Sequence, residues 1–339
     1  MKRRAVIEAA IGETRLALYE GRKLVELHLE RWSDAGRPNP GDMYHGRVSE
    51  IDKSMGSAFI DLGQNHHGFL AFTQNANMPH LTIGQGVLVE ITRTPLQNKG
   101  AGLAFREVVD IDKPYRVKKQ SFEDMLRARF GDVTFEAGSV SVIESALEPV
   151  TALLGGGDIA IDRTRALIAI DVDKGTAKSA YDVSIKAADI ITAQLRLRGL
   201  GGLIIIDFPN LRQAKQRDAL YSHMQKLITS DPAHIKLSPL SRFGVMEMTR
   251  AKPRPSLDNI YFEGATYSPK TESLALGALR RLEREGRIHG GAKLTLHVPE
   301  HVHKWLEDDR IGWRDALIER IGARFHLALG DETSVSVDR

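Results

Sequence analysis

Two carboxylates in this chain stand at the ends of short apolar runs. Ala166-Leu167-Ile168-Ala169-Ile170 stops at Asp171, and Leu203-Ile204-Ile205-Ile206 stops at Asp207. An Ile-rich run of this length reads as a buried strand. A carboxylate closing such a strand is held where an open α/β sheet presents its ligands. One Asp in that position is ordinary turn chemistry. Two, on strands bracketing a helix, suggest a paired site for a hard metal ion. Two carboxylates ~4 Å apart at an effective dielectric of about 20 repel by ~4 kcal/mol. A divalent cation removes that repulsion and leaves positions for water and a phosphate oxygen, as metal-assisted phosphodiester hydrolysis requires. Asp173 shares a face with Asp171 on an extended chain, and reads as an extra ligand, a water-orienting acceptor or a turn former.

The segment carrying these residues alternates strand and helix over 158–250. Asp158–Ile161 and Ala166–Val172 form a hairpin-like pair. Asp182–Arg198 reads as a helix, with Ala187, Ile191 and Leu195 four apart and Gly199 as its stop. Leu203–Ile206 is a strand, Arg212–Ile228 a second helix and Gly244–Met248 a further strand. Upstream, Ala5–Ala9, Thr14–Tyr19 and Leu24–Leu29 read as three strands, followed by a polar linker from Ser33 to Gly41. Residues 42–106 are short strands with Gly-rich turns, the pattern of a small closed barrel. Ser121–Arg129 has a capping spacing at Ser121 and Asp124, and Val142–Leu154 reads as another helix. The Gly155-Gly156-Gly157 run lacks the Lys-Ser/Thr of a phosphate loop and reads as a flexible hairpin entry. A last module opens near Ser268-Pro269 and continues as helix, strand, two short Trp-bearing helices and strand.

In Ser57-Ala58-Phe59-Ile60-Asp61-Leu62, alternation puts Ala58, Ile60 and Leu62 inside and Phe59 on the wet face with Asp61. An outward Phe59 near Phe69, with Arg93 and Lys99 on later strands, has the composition of a base-stacking platform. Packing of Phe59 under a neighbouring domain fits the alternation equally well. Arg242, Arg250, Lys252 and Arg254 cluster at and beyond the last strand, and Arg196 and Arg198 close a helix. They read as phosphate clamps, or as loop charge and helix-dipole complementation; Arg242 carries the phosphate reading best. The spacing of His297, His301 and His303 is broken by Pro299, so these are surface residues rather than a metal set.

The whole chain has 339 residues, 42% hydrophobic and 27% charged, with net charge +3, which indicates a globular protein of two or three domains. The mildly basic balance suits a nucleic-acid partner without demanding one. With no cysteine, disulfides, thiolate zinc sites and thiol nucleophiles are excluded, and a reducing, cytoplasmic setting is expected. Met1-Lys2-Arg3-Arg4 resembles a signal peptide's basic start, but Glu8 and Glu13 interrupt any apolar core. No apolar stretch approaches the ~20 residues of a membrane span.

Three segments then resemble the S-one-type OB fold of ribonuclease E/G proteins: Gly41-Asp42-Met43-Tyr44-His45-Gly46-Arg47-Val48, Gly56 through Gly63, and His67-Gly68-Phe69-Leu70, continuing at Asn98-Lys99-Gly100. The resemblance is closer still at Ala169-Ile170-Asp171-Val172-Asp173, Gln194 to Arg198, Gly201 to Phe208, and Ser241-Arg242-Phe243-Gly244 through Glu247-Met248. It covers nearly the whole chain, strongly at 41–105 and 158–257. It implies an α+β and α/β multidomain protein. An OB barrel (39–106) is inserted in a split ribonuclease-H-like subdomain (1–38 and 107–155). A deoxyribonuclease-I-like catalytic domain (156–260) and a small C-terminal α+β domain (265–339) follow. It implies that Asp171 and Asp207 hold Mg²⁺, with Mn²⁺ as a substitute, and that Phe59, Phe69 and Lys99 contact single-stranded RNA. The expected activity is metal-dependent endoribonuclease cleavage leaving 5′-phosphate and 3′-hydroxyl ends, in RNA processing and decay. The alternative is an RNA-binding protein that has lost cleavage; a nuclease acting on DNA is the weaker third reading.

The chain departs from the family pattern in four places. The Arg-Thr pair of the 5′-monophosphate sensor has no counterpart in Glu107–Gly157, so little preference for a 5′-monophosphate end is expected. The paired cysteines of the zinc link are missing and Asp258–Tyr267 stands in their place, which excludes a zinc-linked tetramer but leaves a homodimer through other surfaces. Arg165 stands six residues before Asp171, where the family carries an acidic residue, an exchange that favours the non-cleaving alternative. Asp173 stands where the family usually has Asn.

Overall fold

The computed structural model describes residues 2–75, 78–95 and 99–338. Strands Arg3–Ala10 (β1), Glu13–Glu20 (β2) and Lys23–Arg31 (β3) form an antiparallel meander, as their period-two apolar pattern requires. The β1–β2 turn needs glycine: Gly12 has φ +80°, and a Cβ there would lie 2.2 Å from Leu276.

The next six strands are Met43–Asp52 (β4), Ser57–Asp61 (β5), Gly68–Ala71 (β6), Gly86–Arg93 (β7), Gly102–Val108 (β8) and Tyr115–Lys118 (β9). Five of them close on themselves in the order β5-β6-β8-β7-β4, with β4 pairing back to β5, and β9 adds to β4. This is a closed five-stranded barrel of the OB kind. Its interior is filled by Val48, Ala58, Ile60, Leu62, Leu70, Val87 and Val89, all at 0–1% exposure, so the alternation of Ala58, Ile60 and Leu62 is as expected. The ninth strand extends the barrel's sheet past residue 106, where the periodic pattern ended.

After the barrel come helix Phe122–Phe130 (α1), strand Thr134–Ala137 (β10) and the single helical turn Ile143–Ala146 (α2). Ser121 caps α1, its Oγ accepting the Asp124 N–H at 3.0 Å. Strand β10 pairs in parallel with β1, giving the order β10-β1-β2-β3. Chain from both sides of the barrel therefore shares one sheet. The helix expected over Val142–Leu154 is corrected here. It ends at Ala146, and Val150–Ala152 (β11) is a strand. Pro149 cannot continue a helix and pushes Glu148 out of the α region, while Val150-Thr151 suits an edge strand.

The largest sheet contains β11, Asp158–Arg163 (β12), Ile168–Asp173 (β13), Gly202–Asp207 (β14), Ile235–Leu237 (β15) and Val245–Arg250 (β16). Its order is β11-β12-β13-β14-β16-β15. Helices Ala180–Leu197 (α3) and Ala214–Ile228 (α4) cover one face. Ile159, Ile161, Ile170, Ile204, Ile206, Met246 and Met248 meet Ala187, Ile191, Leu195, Leu220 and Met224 there. At ~1.5–3 kcal/mol for each fully buried aliphatic side chain, this layer dominates the domain's stability and fixes the strand register. Among the described residues no such helix layer covers the opposite face, which carries the half-buried and exposed alternates of the same strands, Asp171, Asp207 and Glu247 among them.

The chain ends with Leu257–Tyr261 (α5), Thr271–Ile288 (α6), Lys293–Val298 (β17), Glu300–Glu307 (α7), Trp313–Ile321 (α8), Phe325–Leu329 (β18) and Ser334–Asp338 (β19). Strand β17 is central between β18 and β19, and the layer buries Trp313. Ile11, from the β1–β2 turn, belongs to the same core. Among the described residues, no helix is long and apolar enough to cross a membrane.

The first sheet meets the large one through Glu26 of β3. Its carboxylate, 3% exposed, accepts from His28 Nε2 at 3.1 Å, from Arg196 Nε at 3.0 Å and from Arg129 Nη2. Burial alone would raise its pKa; the hydrogen bond from His28 and the charges around it, the Arg129 and Arg196 guanidinia among them, outweigh that and hold it down at about 2. Burial pushes the His28 imidazole below its ordinary value, against the pull of Glu26. A carboxylate whose folded pKa lies below its unfolded value stabilises the fold above the unfolded value, 4.5. That stability is lost as pH falls from there through about 2. Glu26→Gln is expected to lower stability at pH 7 by about 3 kcal/mol. Urea midpoints of parent and variant should converge as the pH is taken from 5 toward 2; a gap that stays constant would exclude the linkage.

Candidate carboxylate and nucleic-acid site

Strands β13 and β14 are parallel neighbours, and their register places Asp171 directly opposite Asp207. Neighbouring strands lie ~4.8 Å apart, and side chains of a directly opposed pair leave the sheet on the same side. Both are exposed on the uncovered face, while the residues before them, Ile170 and Ile206, are buried against the helices. The two carboxylates that sequence separates by a helix and two turns are thus brought together. Two more join them: Asp173 lies on the same face of β13, and its antiparallel partner is Asp158 at the start of β12. Burial first, then the charges of Asp207, Asp173 and Asp158, raise the Asp171 pKa above its ordinary value. Its strongest charged neighbours are all carboxylates, and a site of this kind attracts a cation.

Among the described residues, no group of three or more His, Asp or Glu side chains is arranged to hold a metal ion. What the register brings together is a pair of opposed carboxylates, not a closed cage. That suits Mg²⁺, which is commonly held by one or two carboxylates and fills its remaining positions with water and phosphate oxygens. One oxygen of Asp173 is already occupied by the Gly175 N–H at 2.8 Å, a turn-forming bond, and the other has no hydrogen-bond partner among the described residues. Asp158 has no apolar run behind it to mark it. Only the antiparallel register of the β12–β13 hairpin, set by the Thr164–Leu167 turn, brings it opposite Asp173.

On the barrel, Phe59 and Phe69 are cross-strand partners on the outer face, both half-buried, with ring centroids 5.8 Å apart at 67°. Lys99 is exposed in the loop between β7 and β8. The residue after it, Gly100, packs so tightly on the His67 backbone that a Cβ would lie 1.7 Å from the His67 carbonyl oxygen. Lys99 is thereby fixed beside the strand that carries Phe69. Asn98 lies outside the described residues. The base of the same loop is tied to the large domain by the Thr94 N–H donating to the Pro253 carbonyl at 3.0 Å.

The arginines separate into two groups. Arg242 is exposed in the turn entering β16 and stacks its guanidinium 4.8 Å from the Phe243 ring centroid. The others are bound inward. Arg250 makes a bidentate pair with Asp231 (2.9 and 3.0 Å), Arg196 joins Glu20 and Glu26, and Arg254 donates to the Pro40 carbonyl at 2.7 Å. Arg198 and Asp258, both fully buried, form a bidentate pair, with Arg163 Nε 3.5 Å from the same carboxylate. These side chains hold the domains together and are not on the open face. His297 and His303 pair with Ser336 and Glu307 at the surface of the C-terminal module.

Arg165 lies in the Thr164–Leu167 turn, at the opposite end of β13 from Asp171. The three extended steps from Ile168 to Asp171 alone span roughly 10 Å, and the turn adds to that. At that separation, beyond the Debye length of ~8 Å, its charge has little hold on the carboxylate pair. The expectation that this exchange alters the charge beside the site is corrected accordingly.

Residues 107–253 match the model of the ribonuclease E/G family. Ribonuclease E of Escherichia coli (strain K12) is 24% identical over 457 residues, covering 91% of this chain and 43% of that protein. Ribonuclease G of the same strain is 22% identical over 399 residues, covering 75% of this chain and 81% of that protein. The chloroplastic ribonuclease E/G-like protein of Arabidopsis thaliana is 35% identical over 189 residues, 48% of this chain and 19% of that protein. The chain spans less than half the length of the ribonuclease E from Escherichia coli. That alignment is longer than the 339 residues of this chain, so the relative carries long segments with no counterpart here. The stretch that is similar to the ribonuclease E/G family thus takes in both opposed aspartates.

Proposed function

We propose that this chain is a cytoplasmic, Mg²⁺-dependent endoribonuclease that cuts single-stranded RNA to leave 5′-phosphate and 3′-hydroxyl ends. The observation that carries the reading is the Asp171–Asp207 register across two parallel strands. In this reading Asp171 and Asp207 hold the ion, and the second oxygen of Asp173 accepts a hydrogen bond from the attacking water. Arg242 sits on the same edge and neutralises a phosphate next to the cut. Phe59 and Phe69 offer ring faces to unpaired bases while Lys99 holds their backbone, a combination that binds without strict sequence preference. A bound Mg²⁺ supplies Lewis acidity and a lowered pKa for its water. The sheet shared by β1–β3 and β10 is then the family's split ribonuclease-H-like subdomain. Residues 156–260 are its deoxyribonuclease-I-like domain, and 265–339 the small C-terminal domain. The test is incubation of an end-labelled single-stranded RNA with the full chain. Cuts that require Mg²⁺ and vanish with EDTA are expected; binding without cuts would leave an RNA-binding protein.

The reading includes indifference to the RNA's 5′ end. Between the barrel's last strand and β12 there are only α1, β10, α2 and β11, and all of them pack into the two sheets already described. Monophosphorylated and triphosphorylated forms of one RNA are expected to be cut at rates within about threefold, under ~0.7 kcal/mol of discrimination. A tenfold or greater advantage for the monophosphate would overturn this.

A further inference from the structure

Phe243 is 76% exposed, and nothing in the fold requires an aromatic ring there. The backbone that carries it is nevertheless held in a hydrogen-bonded turn. The Ser241 N–H donates to the Val245 carbonyl at 2.8 Å, the Gly244 N–H to the Ser241 carbonyl at 3.0 Å, and the Phe243 N–H to Ser241 Oγ at 3.3 Å. Gly244, at φ +86°, supplies the left-handed backbone that this tight turn needs. Val245, which follows, is the cross-strand partner of Asp207. The ring therefore stands within two residues of the position opposite a carboxylate of the candidate site. Arg242 lies over the ring, and the high exposure leaves ring surface open to solvent. An exposed aromatic on a hydrogen-bonded turn, beside a place where a phosphate would be cut, has the chemistry of a base-stacking platform.

We infer that Phe243 stacks the base of a nucleotide adjoining the scissile phosphate and so helps to set which bond is cut. The inference rests on the endoribonuclease reading above. Removing a stacking ring costs roughly five- to a hundredfold in binding. Phe243→Ala is therefore expected to lower kcat/KM on single-stranded RNA with Mg²⁺ by that factor and to spread the cut pattern over more sites. Phe243→Trp should restore both. Because the side chain is exposed, neither substitution removes core packing.

RNAs carrying one abasic nucleotide at successive positions around a mapped cut distinguish stacking from a structural role. At one position the missing base should slow the parent by the same factor and cost Phe243→Ala nothing further. Cutting by Phe243→Ala at the parental rate and sites, or abasic losses that multiply with the Phe243→Ala loss at every position, would overturn the inference and leave the nuclease reading intact. A parent chain that cuts no RNA would overturn the nuclease reading, and this inference with it.

Discussion

Asp171→Asn is expected to reduce RNA cutting by on the order of 10³-fold or more, since a metal site supplies several kcal/mol of transition-state stabilisation and each 1.36 kcal/mol is tenfold in rate. The same substitution should leave the metal-free protein as stable as the parent, or more so. Burial and the neighbouring Asp207, Asp173 and Asp158 raise the Asp171 pKa, so the folded state disfavours its charge. A carboxyl whose folded pKa exceeds its unfolded one binds protons more readily when folded. The metal-free parent then loses stability as pH rises through the window just above the ordinary Asp value of 3.8, and Asp171→Asn escapes that loss. Mg²⁺ should raise the Tm of the parent by mass action and leave the variant unmoved. Asp207→Asn, on the facing strand, should behave alike. Thermal unfolding with and without Mg²⁺ at pH 7, beside a cutting assay, checks all three statements. A variant that retains both the Mg²⁺ shift and the cutting would place the metal elsewhere.

How much of this was legible in the chain depends on what each residue's neighbours are. Asp171 and Asp207 could be found because each ends a run whose burial is encoded by Ile and Ala, and such strands pair centrally in a covered sheet. The outward face of Phe59 followed from period-two alternation, which the barrel obeys through Ala58, Ile60 and Leu62; that Phe69 lies across from it is a matter of strand register. Asp158 escaped notice because its role depends on hairpin register, a relation between two strands rather than a pattern within one. Arg196, Arg198 and Arg250 were ambiguous for a related reason. A guanidinium at a helix or strand end looks the same whether it meets phosphate or a buried carboxylate, and the partners Glu26, Asp258 and Asp231 come from distant segments. Helix 142–154 failed where an edge strand and Pro149 overrode a weak apolar periodicity. Phe243 sat in plain view within Ser241-Arg242-Phe243-Gly244, but only the Asp207–Val245 register shows that it borders the carboxylates.

Asp258→Ala is expected to destabilise the fold by about 3–5 kcal/mol, the range for leaving a buried charge without its partner. Asp258 and Arg198 are both at 0% side-chain exposure. Arg198 Nε donates to Oδ2 at 3.0 Å, with Nη2 donating to Oδ1, so the pair is bidentate. Arg163 Nε lies 3.5 Å from Oδ1, and its guanidinium stands over the Phe262 and Tyr267 rings, 5.3 and 5.5 Å from their centroids. One carboxylate thus neutralises two guanidinia, and deleting it leaves both in an environment where water cannot reach Arg198. The cluster joins the C-terminus of α3, the end of β12 and the segment Asp258–Tyr267. An ion-paired clasp therefore packs this segment against its own chain. Removing both partners in Arg198→Met with Asp258→Leu should cost less than Asp258→Ala alone, because no charge is then stranded. Urea midpoints of the three proteins at pH 7 decide the matter: a loss for Asp258→Ala under 1 kcal/mol would mean the pair is solvated and the clasp is not what anchors the segment.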